Sequence, residues 1–311
     1  MGTLSSRARH GLRLLLFMLA VVGALFGLGG FWLHLIDDPL TDVRAYYDAA
    51  ARLNAGGPLY PPDANTNLSD FYRYPPLLAI VLRPFALLPY AAFAALWEAL
   101  IVASLVLLIW RVGPRRPATW LAVGMLGLPI SWALVIGQAH LPMSLLVSLG
   151  APWAIALAAQ LKLFPALIAL YWIGRRDWRS LGRFAAWTLA LVAIQVVLEP
   201  RGSVDFLGVT NLEQVGQVRN WSPYAWSPPL WAVLVVVGAI LTLALARTRW
   251  GWAAAVTFST LATPRFLYYM LLTLLAALRP PAPSPAPTGA SDRRSADGSL
   301  VVGPEVQKIV R

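Results

Sequence analysis

Cysteine is absent from this 311-residue chain, and only three histidines are present. The lack of cysteine excludes a disulfide framework, thiolate chemistry and a cysteine-based metal site, and three histidines leave little material for a histidine cluster. Charge is also scarce. Only 13% of the residues are charged, against about 25% in an average soluble domain, whereas 58% are hydrophobic. These shortages predict an integral membrane protein.

The net charge of +11 would raise the question of nucleic acid in a soluble chain. Here the arginines lie in short segments between apolar runs, around residues 111–116, 175–183 and 247–249. This is the pattern of cytoplasmic loops in membrane proteins, and no nucleic-acid partner is predicted. Arg7 and Arg13 precede the first apolar run, Leu14–Leu35, so the N-terminus is placed in the cytoplasm. That run is longer than a signal-peptide core and is interpreted as a retained span.

The apolar runs predict an all-α polytopic membrane helix bundle of about 8–10 transmembrane or half-membrane helices, with outer-face loops and interfacial helices. Full spans are expected over 90–110, 120–136, 184–198 and 230–245, and residues 199–229 are expected to form an outer loop. Residues 77–89 are too short for a crossing and favour an interfacial or re-entrant helix. Residues 1–278 form the membrane domain, and the Pro/Ala/Ser-rich residues 279–311 are expected to be a disordered tail.

Two apolar stretches are interrupted by helix-breaking residues. Residues 138–172 contain three prolines and a glycine, and this length is too great for one straight span, so broken half-helices facing a cavity are predicted. The last stretch, 252–278, is split at Thr263–Arg265. Backbone breaks at membrane depth are tolerated where they are packed in protein or line a wet cavity. Both stretches are therefore candidates for a site.

The outer segment 37–76 carries six of the fourteen acidic residues. Within it, TDVRAYYDAAARLNAGG predicts a short helix, capped by Thr41 or Asp42 and ended by Gly56 and Gly57. Asp42 and Tyr46 then lie one turn apart on the same face. A carboxylate beside a phenol at the positive end of a helix is a candidate proton acceptor. The alternative is that Asp42 only caps the helix.

Four charged residues interrupt apolar runs, where insertion costs about 2.5–3.5 kcal/mol each. Lys162 and Arg265 lie at proline-marked breaks, where an anion could be held. For Arg83 and Glu98 the alternatives are snorkelling to the interface and an internal ion pair, respectively. An acidic outer segment with cations behind it indicates an acceptor that carries hydroxyls and a donor that carries phosphate.

Some aromatic and imidazole side chains allow two interpretations. His140, at the outer end of a span, is a candidate for ligand contact, although a lone histidine more often packs in the protein. Most of the fourteen tryptophans are interpreted as interfacial belt residues, whereas Trp221 and Trp226 lie in the outer segment, where they could stack on a sugar.

An ordered set of sequence blocks carries a family resemblance. The blocks DVRAYYDAAARLNAGGPLY, YRYPPLLAIVLRPFALLP, GQAHLPMSLL, ALAAQLKLFPALIALYWIGRRDW and TPRFLYYMLLTLLAAL resemble, in family order, those of glycosyltransferase family 87. They extend from Asp42 to about Leu278. The resemblance implies a GT-C membrane enzyme of the polyprenol-phosphate-mannose-dependent kind. It implies inverting transfer of a sugar, mannose above all, from a polyprenyl-phosphate donor to a glycolipid or polysaccharide acceptor.

The same resemblance implies a place for the reaction and roles for residues. The enzyme would lie in the cytoplasmic membrane among its lipids, face outward, and need no nucleotide sugar, metal or cofactor. Asp42 would be the general base. Charge on the departing phosphate would be matched by Lys162, Arg265 and Arg73. The sugar and acceptor contacts would be Tyr46, Tyr74, Gln138, His140 and Trp221.

The chain also departs from the family pattern. Ala139 and His140 follow Gly-Gln where the family usually has Asn, and the basic loop that normally precedes the lysine block is missing. A non-catalytic alternative is therefore kept: a transporter or flippase of lipid-linked sugars, or a degenerate scaffold. A transporter would place polar residues along a path across the bilayer, whereas a transferase would gather them at one face.

Overall fold

The structure is a computed structural model that describes residues 5–62, 65, 71–209 and 220–281. All regular secondary structure in these ranges is helical, which confirms the all-α prediction. Of the expected disordered tail, only residues 279–281 belong to the described part. In chain order the α-helices are α1 Ser6–Asp37, α2 Thr41–Asn54, α3 Pro76–Leu82, α4 Tyr90–Val112, α5 Pro117–Met125, α6 Gly127–Val135, α7 His140–Leu149, α8 Pro152–Leu161, α9 Ala169–Arg175, α10 Trp178–Leu198, α11 Pro200–Val209, α12 Pro228–Leu245 and α13 Gly251–Leu261.

Short 3₁₀ segments complete the described structure. They are Phe85–Leu87, Phe164–Ile168, Pro223–Ala225 and Tyr268–Leu278. The last of these is apolar and packs between α7 and α13. The segment 77–89, expected to be too short for a crossing, forms α3 and the first 3₁₀ turn, and Pro89 then begins α4.

Four described helices, α1, α4, α10 and α12, are long and apolar enough to cross a membrane, and a bent pair, α5 and α6, would make a fifth span. Their outward faces carry exposed large apolar side chains such as Leu25, Val106, Leu189 and Val236. Such faces are stable only in lipid. The protein is therefore a multi-pass membrane protein, as the composition predicted.

The stretch 120–136, expected to form one span, is a bent pair of helices, because α5 and α6 meet at an angle of 64°. Both helices pack directly against α1 through glycine. A Cβ added to Gly127 would lie 2.5 Å from the carbonyl oxygen of Gly23, and one added to Gly124 would lie 2.8 Å from that of Ala20. The backbones therefore touch, and this close packing, which apolar periodicity does not reveal, accompanies the bend.

The two interrupted stretches are broken as predicted. Residues 138–172 form α7, α8, a 3₁₀ segment and the start of α9, with Gly150 in the left-handed conformation (φ 65°) between α7 and α8. Lys162 lies in extended backbone directly after α8. Arg265 lies between α13 and Tyr268–Leu278, so it too is at a break.

The expectation of a loop over residues 199–229 needs correction. Residues Pro200–Val209 form α11, and Glu199 stabilises its first turn by accepting hydrogen bonds from the Gly202 and Ser203 amides. Phe206 anchors this helix against Tyr60, with ring centroids 6.1 Å apart. Residues 210–219 lie outside the described part.

Two charged residues differ from their expected environments. Arg83 donates through Nε to Oδ1 of Asn54 at 3.0 Å, so it is held by a polar partner rather than only snorkelling. Glu98 forms no internal ion pair with any described residue, and its buried Oε1 has no hydrogen-bond partner there.

Candidate active site

The N-terminus of α2 is fixed against the C-terminus of α6. The amides of Leu40 and Asp42 donate to the carbonyl oxygens of Val135 and Ile136 at 2.9 and 3.0 Å. Leu40, in a left-handed conformation (φ 56°), turns the chain from α1 into α2. This junction satisfies amides that a side-chain cap would otherwise serve.

Asp42 is therefore free from capping, and the expectation that Thr41 or Asp42 caps α2 is wrong. No side chain caps this helix, and the Thr41 hydroxyl donates to the carbonyl oxygen of Asp38 at 2.6 Å. The Asp42 carboxylate instead accepts a hydrogen bond from Nε2 of Gln138 at 2.8 Å. The predicted alignment of Asp42 and Tyr46 on one face is present, because both contact Gln138.

Gln138 is oriented by a chain of buried hydrogen bonds. The Ala139 amide donates to the Tyr46 hydroxyl at 3.2 Å, and that hydroxyl donates to the Tyr74 hydroxyl at 2.8 Å. The Tyr74 hydroxyl in turn donates to Oε1 of Gln138. Because Oε1 is occupied as an acceptor, Nε2 must face Asp42, whose Oδ2 then serves as an acceptor. The network thus fixes the orientation of the Asp42 carboxylate.

A cavity of about 450 Å³ adjoins this network and is lined by two of its members, Asp42 and Tyr74. Asp42 lines it together with the three cations that the sequence selected: Arg73, Lys162 and Arg265. Tyr74 also lines the cavity, whereas Tyr46 and Gln138 do not. Gln138 contacts Asp42 directly, and Tyr46 contacts Gln138. Four charged groups from segments far apart in sequence thus line the same cavity of a predominantly apolar bundle.

Lys162 is held between two aromatic rings. Its Nζ lies 5.0 Å from the ring centroid of Tyr74 and 5.2 Å from that of Tyr269, and it donates to the Tyr269 hydroxyl at 3.4 Å. An ammonium group has three donors. The other two have no acceptor within hydrogen-bond distance in the described part of the chain, so Lys162 can bind an anion in the cavity.

The charges at the site perturb the acid–base properties of Asp42. Burial raises the pKa of the Asp42 carboxyl to about 6, and the neighbouring charges of Lys162 and Arg73 oppose this rise. Burial lowers the pKa of Arg73 to about 10, with a further contribution from Arg265. Arg73 thus stays protonated at neutral pH, whereas Asp42 is ionised but close to its titration point, as a general base requires.

Asn220 holds the backbone on both sides of Arg265. Its Nδ2 donates to the carbonyl oxygen of Pro264 at 2.8 Å, and its Oδ1 accepts from the amide of Phe266 at 2.8 Å. The Trp221 amide adds a bond to the carbonyl oxygen of Phe266 at 2.9 Å. The irregular backbone that carries Arg265 is therefore pinned by the segment at 220–221.

His140 and Trp221 do not line this cavity. His140 is completely buried behind Phe164 and Tyr269, with ring centroids 5.5 and 5.2 Å away, and both ring nitrogens lack a described partner. Trp221 lines a separate, mainly apolar cavity between α12 and α13. Neither side chain is placed to touch a sugar beside Asp42.

Sequence reasoning missed three residues of the site: Tyr269, Phe164 and Asn220. Tyr269 and Phe164 follow the breaks that expose Arg265 and Lys162, so aromatic residues next to such breaks were the available signal. Asn220 forms hydrogen bonds to backbone groups 44 and 46 residues away, which no local sequence pattern predicts. Among the described residues, no group of three or more His, Asp or Glu side chains is arranged to hold a metal ion.

Comparisons with known proteins match this chain to a family. The chain is 28% identical to the polyprenol-phosphate-mannose-dependent alpha-(1-2)-phosphatidylinositol pentamannoside mannosyltransferase of Mycolicibacterium smegmatis, over 75% of this chain and 64% of that protein. It is 32% identical to the polyprenol-phosphate-mannose-dependent alpha-(1-2)-phosphatidylinositol mannoside mannosyltransferase of Mycobacterium tuberculosis, over 50% of this chain and 42% of that protein.

The chain thus spans less than two thirds of the length of these curated relatives. No solved structure matches it. The model of glycosyltransferase family 87 matches residues 71–278, which include Arg73, Lys162 and Arg265. The chain belongs to glycosyltransferase family 87.

Proposed function

We propose that this protein is an inverting glycosyltransferase. It transfers a sugar, mannose by analogy with its relatives, from a polyprenyl-phosphate donor to a glycolipid or polysaccharide acceptor, with Asp42 as the general base. The observation that carries the proposal is the convergence of Asp42, Arg73, Lys162 and Arg265 on one cavity. Asp42 precedes the range matched by the family model, so its assignment rests on this geometry.

The reaction needs one proton acceptor and a site for the leaving phosphate. The acceptor hydroxyl attacks the anomeric carbon from the face opposite the phosphate, and its proton passes to Oδ1 or Oδ2 of Asp42. The bond between the anomeric carbon and the phosphate oxygen breaks, and its electron pair stays on that oxygen. One carboxylate is sufficient because no covalent glycosyl-enzyme intermediate forms.

Charge changes at the phosphate during this step. The donor is a phosphodiester with one negative charge, and the product is a lipid monophosphate that approaches two. When all four groups are ionised, three cations and one carboxylate give the cavity a net formal charge of about +2. Groups placed where charge develops stabilise the transition state more than the ground state, so Lys162, Arg73 and Arg265 would accelerate departure. No metal or other cofactor forms part of this proposal.

The arrangement of charges supports an outward-facing site. Near the far ends of the spans, Arg175 and Arg247 donate to the carbonyl oxygens of Ala246 and Gly174, and Arg279 donates to that of Arg111. Helices α4, α10 and α12 each connect such a basic end to the end that carries the site. By the positive-inside rule, the basic ends are cytoplasmic, the N-terminus is cytoplasmic and the cavity faces outward from the cytoplasmic membrane. The gathering of Asp42 and the cations at one end favours a transferase over the transporter alternative.

A transfer assay tests the proposal. Purified protein is given a panel of polyprenyl-phosphate sugars, including mannose, with a phosphatidylinositol mannoside acceptor. We expect transfer from the mannose donor, and we expect Asp42→Asn to lower kcat about 10²–10⁴-fold because general-base catalysis is lost.

The matched control is Asp48→Asn on the same helix, where the carboxylate forms an exposed ion pair with Arg44. This variant should keep the wild-type rate, since exposed pairs contribute little. Wild-type turnover by Asp42→Asn would rule out the assigned base, and the absence of transfer from every lipid-phosphate sugar would rule out the activity.

A further inference from the structure

A second cavity, of about 940 Å³, opens between the end of α2 with the segment that follows it and helix α11. We call it the acidic cleft. Its lining includes Tyr60, Phe71, Glu199, Arg201, Asp205 and Gly208. Most of its lining is apolar, but three charged side chains make its wall more polar than that of the cavity between α12 and α13. Its volume is about twice the 450 Å³ of the catalytic cavity and lies at the upper end of the range of ligand sites, roughly 300–1,000 Å³.

The acidic cleft adjoins the catalytic cavity. Phe71 lines both spaces, and Phe206 of α11 lines the catalytic cavity while its ring lies 6.1 Å from that of Tyr60 in the cleft. Tyr60 also donates a hydrogen bond to the carbonyl oxygen of Tyr74, a residue of the catalytic cavity. A molecule lying in the cleft could therefore extend past Phe71 to Asp42.

The two spaces differ in the sign of their charge. The catalytic cavity has three cations, whereas the cleft has two carboxylates, Glu199 and Asp205, and one guanidinium, Arg201. Neither carboxylate forms an ion pair with a described residue, and the one side-chain hydrogen bond described for Glu199 is a long bond from the Gly202 amide at 3.4 Å. Carboxylates are pure acceptors, suited to hydroxyl donors and unfavourable to phosphate.

An aromatic face completes the wall. The Phe71 ring, partly exposed at the junction, is covered on one side by the guanidinium of Arg73 at 5.5 Å from its centroid. Aromatic faces beside hydrogen-bonding groups suit ligands that are apolar on one surface and polar at their edges, as sugar rings are. Acceptor oxygens, aromatic side chains and a large volume together favour a ligand rich in hydroxyls and without negative charge.

We propose that the acidic cleft binds the glycan of the acceptor, a neutral oligosaccharide whose terminal sugar reaches past Phe71 to Asp42. This inference rests on the proposed function, because it takes the acceptor hydroxyl to be the proton donor to Asp42. It adds that the acceptor carries further sugar units behind the reacting one. A single sugar on an alkyl chain would leave the cleft empty and be a poor acceptor.

Direct binding tests the cleft without any requirement for turnover. The probes are octyl glycosides of neutral triosides, with the octyl mannotrioside first, and the octyl monomannoside for comparison, measured by calorimetry on the full chain in detergent. The blocking variant is Gly208→Trp, because a Cβ at Gly208 meets nothing within 4 Å and the residue lines the cleft. Gly182→Trp in α10 is the matched control, since Gly182 also has open space around it and lines neither cavity.

We expect the wild type and Gly182→Trp to bind the trioside at least tenfold more tightly than the monoside, and Gly208→Trp to lose this preference. The double variant Glu199→Gln, Asp205→Asn should weaken trioside binding about tenfold or more, the effect of losing hydrogen bonds to charged acceptors. Asp37→Asn, an exposed carboxylate outside both cavities, is its control. Equal trioside binding by Gly208→Trp and the wild type, or no binding of any neutral trioside to the wild type, would overturn the assignment.

Turnover then separates the two proposals. If both hold, Gly208→Trp raises KM for the trioside acceptor and leaves kcat/KM for the monoside unchanged. If trioside binding depends on Gly208 but neither the wild type nor any variant transfers sugar, the cleft is a glycan-binding site and the proposed function fails. If Gly208→Trp transfers to the trioside as well as the wild type does, the function stands and the cleft assignment fails.

Discussion

The long helices and the interrupted helices of this protein differ in what they contribute. None of the residues that line the catalytic cavity in the described structure comes from α1, α4, α10 or α12. The lining comes from α2, the segment 71–75, Phe206 of α11, the breaks at Lys162 and Arg265, and short helical pieces next to these breaks. Irregular backbone is tolerated at membrane depth only inside protein or beside a wet cavity. The proposed site therefore lies on α2, the segment 71–75 and the breaks, whereas the long apolar helices serve as membrane spans.

Loss of the cation at the first break should have the largest effect within this comparison. We expect Lys162→Met to lower kcat/KM about 10²–10³-fold, since the developing phosphate charge loses a preorganised partner. Transfer kinetics with the mannose donor check this expectation.

The control is Arg249→Met, which removes an exposed cation between α12 and α13 that does not line the cavity. A loss in Lys162→Met no larger than in Arg249→Met would show that the phosphate is not held at this break.

Asn220 offers a smaller test of the second break. Asn220→Ala removes both side-chain bonds to the backbone around Arg265 and leaves the bond from the Trp221 amide, and we expect KM for the donor to rise about tenfold while kcat changes less. In an Arg265→Ala background the same substitution should have no further effect on donor KM, because it acts through Arg265.

Asn54→Ala serves as a control, because Asn54 also holds a backbone carbonyl and an arginine, Arg83, but outside the cavity. Additive losses in the double variant would make Asn220 merely structural.

The smallest effect is expected on a long helix. Val236 in α12 is 58% exposed on the lipid-facing surface and lines none of the described cavities. Val236→Ala should leave kcat/KM within about twofold and the detergent melting temperature nearly unchanged. A large kinetic loss here would contradict the assignment of the reaction to the cavity that Asp42, Arg73, Lys162 and Arg265 line.

The sequence predicts where the helices are interrupted, but it does not predict that the interrupted segments line the same cavity. Prolines and glycines near Lys162 and Arg265 predict interrupted helices, since proline removes a backbone donor and glycine adopts left-handed backbone. That these residues meet Asp42 depends on how helices pack, which lies outside any local pattern. The bend between α5 and α6 was missed for the same reason, because it depends on the glycine contacts with α1.

The local sequence also gave a misleading prediction for Asp42. Asp42 has the sequence position of an N-cap, yet α2 is anchored by carbonyl groups of residues 135 and 136, and Gln138 takes the carboxylate instead. A capping rule describes what an isolated helix needs. Where carbonyl groups at the end of another helix accept hydrogen bonds from the first amides, as at α2, the side chain is available for a different role.

The pH dependence of kcat/KM tests the central claim most directly, because it reports the ionisation of the free enzyme's base. Burial raises the pKa of Asp42 to about 6, and the base acts only when ionised. Activity should therefore fall as pH decreases through about 6, and Lys162→Met should move this acid limb to higher pH, since the removed cation favours the carboxylate. A profile that is flat from about pH 5 to 8, or an acid limb that Lys162→Met leaves in place, would contradict a buried carboxylate acting among these cations.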